Sequence, residues 1–182
     1  MLIVLLILLS TSAFSNALII NPHFGHSLAA EMNTNLFDKK KYNLQGLTVG
    51  VKLMYRHQLI FYGIDYENST LRVQGLDDAS GFSSDKLSGV FGVRIARNDY
   101  FVKVIGWGEA SLDGQGVFSS PLGFEGGYIR RIVVENVTKL TLFATYSRVD
   151  WQDYSRNIGG SKYNLQVKRL HIGVGIPFEI DL

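Results

Sequence analysis

The sequence contains no cysteine and only three prolines among its 182 residues. The absence of cysteine excludes a disulfide scaffold, a thiolate metal site and cysteine catalysis. A formal net charge of +2 gives no reason to expect a nucleic-acid partner. Helical periodicity of useful length is also lacking after the first residues. The chain is instead rich in glycine, with 19 residues, and in aromatic residues, at 12%, a composition that suits a β-rich protein.

The chain opens on an apolar run over residues 1–9 that carries no charge. This run is too short to span a membrane and is followed by Ser- and Ala-rich sequence, as in a secretory signal. Small residues at Ala13 and Ser15, or at Ser15 and Ala17, match the positions that a leader peptidase reads. We therefore predict a secretory signal peptide over residues 1–17. The alternative is an uncleaved membrane anchor, although a spanning helix needs ~20 apolar residues.

The end of the chain has the clearest alternation. From Leu170 to Ile180 every second residue is apolar, and the residues between them are small or polar. Because side chains alternate between the two faces of a strand, the pattern predicts a β-strand with one apolar face. Its length matches the roughly 9–11 residues that a tilted strand needs to cross a bilayer. The residues predicted to face lipid are Leu170, Ile172, Val174, Ile176 and Phe178.

Eight segments after the leader carry an alternating pattern. Their approximate cores are 22–32, 43–56, 59–67, 87–97, 100–111, 122–132, 139–151 and 163–180. Short connections, such as a tight turn at Asn98-Asp99, alternate with long ones, of which 68–86 is the longest and is expected to be extracellular and mobile. Such asymmetry is typical of an up-and-down meander whose ends face different environments. We predict an all-β fold over residues 18–182: an eight-stranded antiparallel up-and-down transmembrane β-barrel.

The polar faces of these strands carry glycine, serine and threonine with isolated charges. In a soluble lipocalin-like carrier this face would be solvated and crowded with long polar side chains, whereas the sparse bulk observed suits a narrow lumen. Buried charges need partners, and both signs are represented. The predicted lumen charge network consists of Glu31, Lys52, Asp65, Glu67, Arg94, Lys103, Glu109, Glu125 and Arg131.

A hairpin at Asn98-Asp99 would set Arg94 directly opposite Lys103, and like charges opposite each other are unfavourable. We therefore expect carboxylates from other strands, chiefly Asp65 and Glu67, to bridge them. A bridged cluster would plug the lumen.

On its leader, strand count, loop asymmetry and closing strand, the chain resembles the small eight-stranded bacterial outer-membrane barrels, such as the transmembrane domain of outer membrane protein A and the opacity-type surface proteins. The resemblance covers about residues 18–182 and is architectural, without a residue-level signature. It implies location in the bacterial outer membrane, and membrane lipid, lipopolysaccharide and the barrel-assembly machinery as partners. Family members usually end on an aromatic residue, whereas this chain ends Phe178-Glu-Ile-Asp-Leu182.

Some eight-stranded barrels are lipid A deacylases, which use a His and a Ser two residues apart on one strand face. None of the four histidines has such a serine, and residue 173, two after His171, is glycine. His23 and His26 fall on opposite faces of a strand, which argues against a metal pair. We predict no catalytic, cofactor or metal site. The expected role is structural or surface interaction, with a loop partner that the sequence does not identify; a lipid A-modifying enzyme, a narrow pore and a soluble carrier are the alternatives.

Overall fold

The computed structural model of the protein describes residues 16–37, 41–75, 81–113, 115–134, 138–155 and 163–182. Most of these residues lie in β-strands. The strands are β1 (Asn16–Thr34), β2 (Lys41–His57), β3 (Ile60–Gln74), β4 (Gly81–Ile95), β5 (Asn98–Leu112), β6 (Gly116–Val134), β7 (Thr138–Tyr154), β8 (Leu165–Gly175) and β9 (Phe178–Asp181). The described segments include no helix with the length and apolarity needed to span a bilayer.

The strands form one antiparallel sheet that closes on itself. Each strand from β1 to β7 pairs with its successor, and β8 pairs back with β1. β9 follows β8 after Ile176 and Pro177 and also pairs with β1, so β8 and β9 together make one strand of an eight-membered ring. The predicted all-β, eight-stranded antiparallel up-and-down barrel is confirmed. Closure lets neighbouring strands satisfy the backbone groups that an open sheet would leave at its edges.

The two ends of the barrel differ in their connections. At one end, the turn end, two-residue turns at Gln58-Leu59 and Ala96-Arg97 join the strands. The connection between β6 and β7 lies at the same end, whereas the other end, the loop end, carries the connections from β1 to β2, β3 to β4, β5 to β6 and β7 to β8. The predicted turn at Asn98-Asp99 is wrong, because β5 already begins at Asn98. The carboxylate of Asp99 is instead used inside the barrel, where Asp99 pairs in register with Arg94.

The strands are longer than the sequence pattern suggested, with 15 to 19 residues in each of β1 to β7. β3 runs to Gln74 and β4 starts at Gly81. Most of the predicted 68–86 loop is therefore strand, and the expectation of a long mobile loop is wrong for the described part; residues 76–80 lie outside it. The sequence pattern predicts shorter strands because the alternation changes towards the loop end. There the apolar residues lie on the inward face and the polar residues on the outward face.

β3 illustrates this reversal. Towards the turn end its outward residues are apolar, from Ile60 to Tyr66, and its inward residues include the buried Asp65 and Glu67. Towards the loop end the outward residues are polar, and the inward Leu71 and Val73 are buried. The same change occurs in β2, β7 and β8. Over one part the barrel wall is apolar outside and has buried charges beside a small apolar cluster inside, and over the other part it is polar outside and apolar inside.

Three regions named by their residues follow from this change. The apolar belt is the outward surface formed by Phe24, Leu28, Leu47, Val49, Val51, Leu53, Ile60, Tyr62, Ile64, Tyr66, Phe91, Val93, Tyr100, Val102, Val104, Leu122, Phe124, Leu142, Tyr146, Leu170, Ile172, Val174, Ile176 and Phe178. The polar collar, nearer the loop end, is formed by Lys41, Asn43, Gln45, Asn68, Thr70, Arg72, Gln74, Arg148, Gln152, Gln166 and Lys168. The loop-end core lies inside the barrel and contains Ala30, Met32, Tyr42, Leu44, Leu71, Val73, Phe82, Ile105, Ala110, Leu112, Phe118, Val149, Trp151, Tyr154, Leu165 and Val167.

Two β-bulges shift the alternation within single strands. In β1 the pairing with β8 skips Leu28, which lies between Ser27 and Ala29. In β5 the pairing with β4 skips Gly106, because Leu87 pairs with Trp107 and Ser88 with Ile105. A bulge adds one unpaired residue, so every side chain beyond it points to the opposite face from the one a regular alternation predicts.

Candidate functional site: the interior charge network

The centre of the barrel holds a lysine surrounded by carboxylates. The Nζ atom of Lys103 lies 2.5 Å from Oδ2 of Asp65, 2.7 Å from Oε1 of Glu67 and 2.6 Å from Oε1 of Glu125. Lys52 adds a second amine 3.5 Å from Oδ2 of Asp65. These side chains come from β2, β3, β5 and β6, so the contacts cross the lumen.

Glu67 contacts three basic side chains inside the barrel. Besides Lys103, its carboxylate lies 3.2 Å from Nζ of Lys86 and accepts a hydrogen bond from Nη2 of Arg169 at 3.1 Å. Arg169 also donates to the hydroxyl oxygens of Thr48 and Ser69, at 2.7 and 2.9 Å. Ionised partners and hydroxyls together satisfy charges that would otherwise be costly to bury.

Strand register explains why these partners meet. Four of the ion pairs join residues that are direct cross-strand neighbours; they are Lys52 with Asp65, Glu67 with Lys86, Lys103 with Glu125, and Arg94 with Asp99. Opposite charges directly across an antiparallel pair are mutually stabilising. The network is thus built from adjacent strand pairs and then joined across the lumen.

Two histidines border the network. The Nε2 atom of His23 lies 3.7 Å from Asp65 and 3.6 Å from Glu67. The ring of Phe143 packs edge-on against His23 and His171, with centroids 5.6 and 5.1 Å away. His23, Asp65 and Glu67 offer ligand atoms within 4.8 Å of one another, a spacing that could hold a metal ion. The amine of Lys103 already contacts the same two carboxylates, so this position is held by a protein cation.

A second charge cluster lies at the turn end. Asp99 accepts hydrogen bonds from Nε of Arg94 at 2.9 Å and from Nη2 of Arg131 at 2.8 Å. Glu179 of β9 contacts Arg94 at 3.3 Å and Lys139 at 3.3 Å, and also pairs with Arg131. Glu179 thereby ties the last strand to β4, β6 and β7 by charge as well as by backbone pairing.

The structure divides the predicted network into parts. Lys52, Asp65, Glu67, Lys103 and Glu125 meet in the centre, and Arg94 with Arg131 lies in the turn-end cluster. The predicted opposition of Arg94 and Lys103 is wrong, because Arg94 pairs with Asp99 and Lys103 pairs with Val90 on β4. Asp65 and Glu67 nonetheless contact Lys103, as the sequence argument expected.

Two predicted lumen residues lie elsewhere. Glu31 is half-buried and 3.7 Å from the exposed Lys41, and Glu109 is exposed on the outer wall. Both lie beyond a bulge, at Leu28 in β1 and at Gly106 in β5. The bulges reverse the face on which each carboxylate appears, so assigning them to the lumen is wrong.

The predicted network omits several ionisable residues of the interior. They are His23, Lys86, Asp99, Arg169 and Glu179. The alternation of the closing strand places Arg169 and Glu179 on the face opposite its apolar residues. The sequence pattern could therefore have identified these two residues as inward. Lys86 and Asp99 are absent from the predicted network because the sequence pattern places them in a loop and a turn.

The five residues predicted to face lipid all point outward and are exposed on the wall of the barrel. They are Leu170, Ile172, Val174, Ile176 and Phe178. Tyrosine pairs lie near the turn-end border of the same wall, with ring centroids 5.6 Å apart for Tyr55 and Tyr62 and 5.4 Å apart for Tyr100 and Tyr128. Rows of aromatic residues at the margins of an apolar band are typical of membrane barrels.

No family model matches the chain, and no curated protein matches it. Among solved structures, neisserial surface protein A aligns with 91% of this chain and 98% of its own, at 15% identity and a TM-score of 0.56. AlkL, an outer membrane protein solved in lipid bilayers, aligns over 94% of both chains, at 15% identity and a TM-score of 0.51.

A third similar structure is Ail, the attachment invasion locus protein of Yersinia pestis, which aligns with 91% of this chain and 100% of its own at 12% identity and a TM-score of 0.50. The fold is that of the small eight-stranded outer-membrane β-barrels. The resemblance inferred from the sequence is therefore confirmed at the level of architecture. The predicted outer-membrane location is supported by the same neighbours.

Proposed function

We propose that the protein is a structural outer-membrane barrel whose lumen is closed by its own side chains and whose loop end meets partners at the cell surface. In this proposal the apolar belt contacts lipid and the polar collar projects into the aqueous surface layer. The transition from Tyr66 to Asn68 in β3, and from Tyr146 to Arg148 in β7, marks the outer border of the lipid.

The main observation in support of a closed lumen is the contact of Lys103 with carboxylates from β3 and β6. An eight-stranded barrel has an interior just wide enough for side chains to fill. The loop-end core supports the same proposal, since Phe118 and Trp151 are buried inside the ring above the charges. A water path would have to cross both layers.

Planar-bilayer recording on the purified protein tests the closed lumen. We expect no steady single-channel conductance from the wild type. Conductance that appeared only after Asp65→Ala combined with Glu67→Ala would indicate that the charge network by itself plugs the lumen. Because the loop-end core forms a second layer, we expect that double variant to stay closed too, with heat-modifiable migration on a gel as the control for folding. Steady conductance from the folded wild type would contradict the proposal.

We propose further that the protein has no lipid A-modifying activity. His23 and His171 are buried inside the barrel, and His57 is hydrogen-bonded to Asn16 at the turn end, 2.8 Å away. His26 lies on the outward face of β1, but the residues two positions away on that face are the apolar Phe24 and Leu28, so it has no serine beside it there. Mass spectrometry of lipid A from cells with and without the protein is the test, and we expect identical acyl patterns.

A further inference from the structure

A groove of ≈ 730 Å³ opens on the outer wall beside the β1 bulge. Pairing between β1 and β2 stops after His26 with Leu47 and resumes at Ala30 with Leu44. Three residues of β1 therefore face two residues of β2 without regular pairing, and the wall is recessed there. Bulges often re-aim side chains next to functional sites.

The groove lies on the border between the apolar belt and the polar collar. Leu28, Tyr146 and Leu170 line its belt side with exposed side chains, and Lys41 and Lys168 line its collar side. An amphiphile lying along the wall would meet an apolar surface with its chains and two amines with its headgroup. The groove has both surfaces at one level.

The two amines are available to a ligand. The Lys41 side chain is 71% exposed, and its contact with Glu31 is long, at 3.7 Å. Lys168 is the direct cross-strand neighbour of Glu31 but forms no salt bridge with any residue that the structure describes. Arg169, which lines the back of the groove, is held by Glu67 and the hydroxyls of the interior. The free positive charge at the groove thus comes from Lys41 and Lys168, with Glu31 as the opposing carboxylate.

We propose that this groove binds a phosphorylated, acylated glycolipid of the outer leaflet, with phosphate at Lys41 and Lys168 and an acyl chain against Leu28 and Leu170. The inference rests on the proposed membrane location and adds a defined lipid site to it. Basic pockets beside membrane-spanning segments favour anionic headgroups, and the adjacent apolar wall favours the chains. Inorganic phosphate alone would meet the two lysines without the apolar contacts and is not the proposed ligand.

Native mass spectrometry of the detergent-purified barrel, with bisphosphorylated lipid A as the probe, tests the proposal. We expect one retained lipid A per wild-type protein. Lys41→Gln and Lys168→Gln should each lower its affinity about fivefold, in line with the contribution of a lysine near an anionic surface. Glu31→Gln should raise the affinity, because it removes the carboxylate that competes for Lys41. Arg130→Gln, which removes an exposed charge at the turn end, is the matched control and should leave the affinity unchanged.

Two further arms identify the ligand chemistry. Dephosphorylated lipid A should bind as weakly to the wild type as lipid A binds to the lysine variants, and millimolar inorganic phosphate should not displace bound lipid A. Equal retention by Lys41→Gln, Lys168→Gln and Arg130→Gln would overturn the site. Heat-modifiability separates this result from failure of the proposed function: a heat-modifiable barrel that retains no lipid A contradicts the site alone, whereas a protein that never forms such a barrel contradicts the scaffold.

Discussion

The Nζ atom of Lys103 lies 2.6 Å from Oε1 of Glu125, its direct cross-strand neighbour, and both side chains are only 1% exposed. The same amine contacts Asp65 and Glu67 on β3. One lysine therefore joins a local strand pair to the opposite wall. Removing one partner from such a cluster of buried ion pairs leaves uncompensated charge in a poorly solvated interior.

Replacing Lys103 with methionine should destabilise the folded barrel by about 3–5 kcal/mol, because the carboxylates lose their nearest cation. Adding Glu125→Gln to that variant should cost less than the sum of the two single changes, since the pair acts as a unit. Urea unfolding in detergent micelles, followed on a gel, measures both. Lys139→Met, which removes a half-exposed amine, should cost no more than about 1 kcal/mol. Strictly additive costs for Lys103 and Glu125 would contradict a coupled network.

Arginine at Ile172 should destabilise the barrel by about 2–4 kcal/mol, because this outward residue lies within the apolar belt. Gln166→Arg, on the outward face of the same strand but in the polar collar, should change the free energy of unfolding by no more than about 0.5 kcal/mol. Spin labels at 172 and 174 give an independent readout. Labels that respond to water-soluble quenchers and not to oxygen would be incompatible with lipid contact.

Leu71→Ala should cost about 2–5 kcal/mol, since Leu71 is buried in the loop-end core and truncation leaves a cavity. Arg72→Ala, at the next residue and on the exposed face, should change stability by no more than about 0.5 kcal/mol. Equilibrium unfolding of the two variants under identical conditions checks the reversed patterning. If Arg72 proved the more sensitive position, the loop end would not have an apolar interior.

Leader cleavage is expected after Ser15 rather than after Ala17. Asn16 pairs with His57, and Ala17 is fully buried and pairs with both Arg56 and Asp181. Cleavage after Ala17 would remove two residues that complete the closing ladder. N-terminal sequencing of the mature protein should give Asn16 first. A mature chain that begins at Leu18 would support the boundary drawn from the leader pattern.

The loop end is expected to face the cell exterior. A protease that cuts at acidic residues should reach Asp77 and Asp78, in the connection between β3 and β4, on intact cells. Glu135, in the connection between β6 and β7 at the opposite end, should be cut only after lysis. Fragment masses distinguish the two sites in one experiment. The reverse order of cutting would invert the topology.

Several features of this protein were determined by the sequence alone. Uninterrupted alternation from Leu170 to Phe178 was enough to predict the closing strand and its outward face. Side chains alternate between the two faces of a strand, so apolar residues at every second position form one apolar face. Inward positions for Lys52 and Lys103 followed from the same parity. The number of strands followed from repeated alternation between turn signals.

Other features were decided only by the tertiary structure. Glu31 and Glu109 lie outside the lumen because single-residue bulges at Leu28 and Gly106 reverse strand parity, and a bulge changes no local pattern that a sequence displays. The loop-end half was read as loops because Leu71 and Val73 turn inward where Asp65 and Glu67 had been the inward residues. Which face of a strand is apolar depends on whether lipid or water lies outside it. The position of each residue along the axis of the closed barrel decides which of the two it meets. Cross-lumen contacts, such as that between Lys103 and Asp65, exist only once the ring has closed, because they join strands that are not neighbours in the sheet.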